Sequence, residues 1–117
     1  IFSGSRQAGY EAAQLDRDIA IADYEKSIQT AFREVSDALS LRTSLSAQED
    51  ALESLVHTLA ETHRLSEARY KGGIDSYLSV LIAQRALYVA RQQLVSLRLA
   101  RLTNLVTLYK VLGGGAN

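Results

Sequence analysis

An apolar stripe that recurs every three to four residues, with no proline anywhere to break it, limits what this chain can fold into more than any other feature. It runs from Ile21 through Tyr24, Ile28, Ala31, Val35, Ala38, Arg42, Leu45, Glu49, Leu52, Val56, Leu59, His63 and Ser66 to Tyr70. About three-quarters of these positions are apolar, the pattern of a long helix packed along a heptad seam. A second line of Phe32, Leu39, Leu41, Leu55 and Leu65 widens the apolar face beyond what one partner helix covers. As a single helix, residues 6–70 would extend roughly 95 Å at 1.5 Å per residue.

Gly72 and Gly73 interrupt the stripe. They predict a turn over 71–75, followed by a returning helix over 76–112. Asp75 is the expected N-cap, since a carboxylate there can accept from the open N–H groups of a first turn. The returning seam is expected at Ile74, Leu78, Leu81, Arg85, Tyr88, Gln92, Val95, Leu99, Leu102, Val106 and Tyr109. A second line lies beside it at Tyr77, Val80, Leu87, Leu94, Leu105, Leu108 and Leu112. Gly113-Gly114-Gly115 supplies the stop, because the residue after a helix end often needs the left-handed conformation; 113–117 is the tail.

The expected fold class is therefore all-α, a long antiparallel helical hairpin of coiled-coil type with unequal arms. About the last 38 residues of the first arm would pair with the second, leaving roughly 30 whose apolar residues, Leu15, Ile19, Ile21 and Ile28, need another partner. Ile1 to Ser5 does not read as helix but as the end of a strand followed by a break. With no initiator methionine, the chain reads as a processed product or an excised fragment.

The net charge of zero conceals an asymmetry. Every acid except Asp75 precedes the glycine pair, and only Arg85, Arg91, Arg98, Arg101 and Lys110 follow Asp75. The two arms should attract when folded together. A neutral total also argues against nucleic acid as a partner. There are no cysteines, so thiolate chemistry is excluded. His57 and His63 sit six apart, on different sides of a helix, and read as solvated or seam-edge residues. Glu49, Asp50 and Glu53 read as a solvated acidic face, and the final glycines follow a helix rather than open one, so they cradle no phosphate. No enzyme, metal or cofactor is expected.

Several stretches carry a family pattern. "IFSGSRQ" resembles the run that ends the last outer-membrane strand of TolC-type outer membrane factors. "YEKSIQTAFREVSDAL" resembles the stretch that follows it in the OprM-like efflux branch. "ARYKGGIDSYLSVLIAQRALYVARQQL" resembles the family's periplasmic tip and returning helix, and "LVTLYKVLGGG" that helix's end.

The resemblance implies the second-repeat hairpin of a homotrimeric exit duct, in which helices from each protomer form a periplasmic α-barrel and the remaining strands a β-barrel in the Gram-negative outer membrane. It implies gate positions at Tyr70, Leu78, Ser79, Ile82 and Arg85. Tip-turn and adaptor-docking positions follow at Arg69, Lys71, Gly72, Gly73 and Asp75. The implied partners are a periplasmic adaptor (membrane fusion protein) and an inner-membrane efflux pump. One departure stands out: Ile82 occupies a position where relatives usually carry an inward aspartate. An isoleucine ring would gate by dewetting rather than by binding cations, unless Ile82 packs against a neighbouring helix. The alternative function, from a different class, is a stand-alone coiled-coil module that dimerises into a helical bundle.

Overall fold

The computed structural model of the chain describes residues 2–113. It contains helix α1, Phe2–Lys71, and helix α2, Tyr77–Val111. Backbone contacts divide the chain into two units, Ile1–Asp37 and Ala38–Asn117.

The first unit is helical from Phe2 onward, and every residue from Ser3 to Glu34 is exposed. Tyr10, Leu15, Ile19, Ile21, Tyr24, Ile28 and Phe32 all present apolar surface. The strand end and break expected at 1–5 are not what the structure places there: Phe2–Ser5 continue α1, and Ile1 lies outside the described residues. The physical reason is backbone satisfaction. Among the described residues there is no strand to pair with, and a helix satisfies its amide groups within one segment.

The second unit is an antiparallel helical hairpin. Its α1 side follows the expected stripe: Ala38 and Leu45 are buried, and Glu49, Leu52, Val56, Leu59, His63 and Ser66 are half-buried. Arg42 and Tyr70 fall on the stripe but remain exposed.

The α2 side requires a correction. The buried positions are Val80, Ala83, Leu87, Ala90, Leu94, Asn104 and Leu108, with Leu97, Arg101 and Val111 half-buried. Spacing of three and four holds throughout: the seam takes Val80, Leu87, Leu94 and Leu108 from the second of the two expected lines and adds Ala83, Ala90 and Asn104, while Tyr77, Leu105 and Leu112 of that line are exposed. The line from Ile74 to Tyr109 expected as the main seam is exposed; Leu78, Tyr88, Val95, Leu99, Leu102 and Tyr109 all keep 60% or more of their surface. Small side chains at 83 and 90 let two helix backbones approach, whereas a line of bulky residues at every position would hold them apart. Among the described residues no helix is long and apolar enough to cross a membrane.

Candidate functional site at the helix turn

The turn between the helices is built from backbone hydrogen bonds closing on α1. Ile74 N–H donates to the Arg69 carbonyl at 2.9 Å and Gly73 N–H to that of Tyr70 at 3.0 Å. This pair of bonds, six-to-one and five-to-two, is a Schellman motif, and it requires a left-handed residue at its fifth position. That residue is Gly73, with φ 72. Basic Arg69 and Lys71 occupy the last turn of α1, where the helix dipole favours cations.

Asp75 ties the turn to α2, though not as the expected N-cap. The N-cap position is Ser76, whose own side chain makes no capping bond. The Asp75 carboxylate instead accepts from Ser76 N–H at 3.0 Å and from the Ser79 hydroxyl at 3.0 Å through one oxygen, and from Arg69 Nε at 3.3 Å through the other. The Ser79 hydroxyl, then the Ser76 amide and Arg69, hold its carboxyl below the usual range. Across the same turn the rings of Tyr70 and Tyr77 lie 5.1 Å apart at 55°, a tilted aromatic pair. Arg69, Tyr70, Tyr77, Asp75 and Ser79 thus form one bracket over the turn, with Lys71, Gly72 and Gly73 exposed at its end.

The proposed gate residues separate into two groups. Leu78, Ile82 and Arg85 are spaced four and three apart and share one exposed stripe of α2, as helical periodicity requires. Ile82 keeps 62% of its surface and lines, with Arg85, Val89, Leu55 and Leu59, a shallow apolar groove along the hairpin. Ser79 is turned a quarter of the way round the helix from them, toward Asp75.

Away from the turn, the acidic and basic arms meet as their charges suggest. Arg98 donates to Glu49 at 3.4 Å and to Glu53 at 3.1 Å, and Arg101 donates to Glu49. Arg101 foremost, with Arg98, keeps the Glu49 carboxyl below its ordinary range. Next along α2, Asn104 is 4% exposed and donates through Nδ2 to the Ala38 carbonyl at 3.1 Å.

Residues 1–114 match the family model of the outer membrane efflux protein. The chain belongs to the outer membrane efflux protein family. The Toluene efflux pump outer membrane protein TtgC of Pseudomonas putida is 48% identical over 97% of this chain and 23% of its own length. The Cation efflux system protein CusC of Escherichia coli is 42% identical over 97% of the chain and 25% of its own length. A crystal structure of CusC, described in terms of folding and transmembrane channel formation, matches with a TM-score of 0.83 at 42% identity, covering 86% of this chain and 27% of that one. The chain thus spans about a quarter of the length of these outer membrane efflux proteins.

For a member of this outer membrane efflux protein family, sequence reasoning missed two polar features. The Ser79–Asp75 bond could have been found from the four-residue spacing of a hydroxyl and an acid at a helix start. Asn104 could have been found as the uncharged polar residue on the three-to-four line Leu94, Leu97, Arg101, Leu108.

Proposed function

We propose that this chain is the helical hairpin of an outer-membrane efflux duct: the descending helix, the tip turn and the returning helix of a passive exit channel. The observation that carries this is the family match over residues 1–114. In this reading the parent protein is a homotrimer with a β-barrel in the outer membrane, and the hairpin lies in the periplasm as part of an α-barrel. The extra apolar faces support it, since Leu39, Leu55 and Leu65 on α1 and Leu81, Leu99 and Leu102 on α2 are all exposed in the single hairpin and call for neighbouring helices. The partners are a periplasmic adaptor docking near Arg69, Lys71, Gly72, Gly73 and Asp75, and an inner-membrane pump. Relatives named for toluene and for cation efflux resemble the segment to similar degrees, which supports cargo selection outside it.

The gate in this reading is the Leu78–Ile82–Arg85 stripe, with Tyr70 at its turn end and Ser79 bracing the turn behind it. A threefold ring of Ile82 would close the duct by excluding water. Opening then depends on an adaptor that binds the open state more tightly than the closed one.

Planar-bilayer conductance of the full-length protein tests this, comparing the natural sequence with Ile82→Asp, with and without divalent cations. Cation block confined to the aspartate variant is the expected result. Equal, unresponsive conductance in both would place Ile82 against a neighbouring helix, and absence of any channel would overturn the duct.

A further inference from the structure

The tyrosines that meet across the turn carry a chemistry that packing alone does not use. Tyr70 lies in the last turn of α1 and Tyr77 opens α2. The backbone bonds of the turn bring their rings to 5.1 Å between centres, tilted at 55°. Among the described residues this is the one aromatic pair. Tyr88, the next tyrosine along α2, lies about 16 Å further on at 1.5 Å per residue.

Composition leaves these phenols open to oxidation. The chain has no cysteine or methionine, the sulfur side chains that oxidants ordinarily attack, and no tryptophan. A one-electron oxidant reaching this segment therefore finds tyrosine as its readiest donor. Tyr70 and Tyr77 are 45% and 52% exposed, which gives a small radical access to both rings.

Geometry then favours coupling over decay. Two tyrosyl radicals join through the ring carbons next to the phenol carbon, one Cε of each residue. Such a bond leaves the ring centres about 4 Å apart, two ring radii and one carbon–carbon bond. From 5.1 Å the rings need close by only about 1 Å, an amplitude that exposed side chains reach thermally. The second radical forms beside the first and has no distance to diffuse.

We propose that Tyr70 and Tyr77 form an oxidative modification site, converted by one-electron oxidants of the peroxyl-radical class into an intrachain dityrosine staple across the turn. Two peroxyl radicals each take one electron and one proton from a phenol and leave as hydroperoxides. The two tyrosyl radicals pair into a single carbon–carbon bond. The hydrogen left on each joined carbon moves as a proton to that ring's oxygen, which restores both phenols. The product ties the last turn of α1 covalently to the first turn of α2. The proposal rests on a contact inside one chain and not on conduction, so it stands or falls separately from the duct reading.

Treating the full-length protein, in detergent micelles, with peroxyl radicals from a water-soluble azo initiator tests it, followed by tryptic mass mapping. Cleavage after Arg69, Lys71 and Arg85 puts the two tyrosines on separate peptides. The link then appears as Tyr70–Lys71 joined to Gly72–Arg85 with the loss of two hydrogens, in protein that runs as a single chain on a denaturing gel. Its yield should exceed that of any other tyrosine pair in this segment, and its own yield in urea, on the order of tenfold. Tyr77→Phe should abolish it without passing the link to Tyr88. A link passed on to Tyr88 overturns the proposal. So do three outcomes in the natural protein: no link, a link found only in covalent dimers, or a yield no higher than in urea.

Discussion

At Gly73 the backbone stands at φ 72, and a Cβ added there would meet nothing within 4 Å. Space is therefore not the constraint; conformation is. Gly73→Ala should destabilise the hairpin by about 1 kcal/mol, the cost of holding an L-residue in the left-handed region. Gly72→Ala, whose Cβ would sit 3.4 Å from the Ala68 carbonyl oxygen without a positive φ, should cost less, and urea midpoints of the two variants measure the difference. Asp75 gives a pH prediction with a definite sign. Its carboxyl is held below its ordinary value by Ser79, Ser76 and Arg69, so its contribution is complete at neutral pH and is lost as pH falls below about 4. Near-ultraviolet circular dichroism of the tyrosines should report loosening of the turn in that window for the natural chain. The Asp75→Asn variant should show a flatter response there; parallel curves would mean the carboxylate does not brace the turn.

Along the helices, the seam assignment can be tested directly in this 117-residue chain. Leu87, 6% exposed, should cost about 2–4 kcal/mol on truncation to alanine. Leu99, 65% exposed, should cost within about 0.5 kcal/mol. The reverse order would restore the line from Ile74 to Tyr109 as the seam. The α1 stripe was legible because its apolar residues recur with one period and few competitors. On α2 two apolar lines of similar length compete, and bulk favoured the outer one, whereas close helix approach selects the line that includes Ala83 and Ala90. The turn was legible as a glycine pair, but its cap was misplaced by one residue, since Asp75 and Ser76 are both good caps and only backbone geometry chooses between them. The shared stripe of Leu78, Ile82 and Arg85 follows from spacing alone; the diversion of Ser79 to Asp75 depends on side-chain bonds that spacing only permits.

At the level of the whole molecule, the accessible surface is 9308 Å², against roughly 6300 Å² for a typical folded monomer of this mass. Large apolar side chains contribute to it, Phe32 at 77% and Tyr24 at 68% exposed among them. Apolar surface on that scale marks places where other chains or segments belong. The chain produced alone should therefore self-associate as its concentration rises, which sedimentation velocity would show; a monomer at all concentrations would mean these faces need no cover. High salt should weaken the Arg98 and Arg101 pairs, which are partly solvated, yet leave the melting temperature nearly unchanged, because seam packing carries most of the stability.

The tilted rings of Tyr70 and Tyr77 also make the turn its own optical gauge. The chain has no tryptophan and only six tyrosines, so no brighter indole masks their signal. Coupling between two aromatic transitions falls steeply with separation, and these two, 5.1 Å apart, straddle the end of α1 and the start of α2. Any motion that spreads the helix ends would dim that coupling first, so the state of the tip is readable in light without attaching a label.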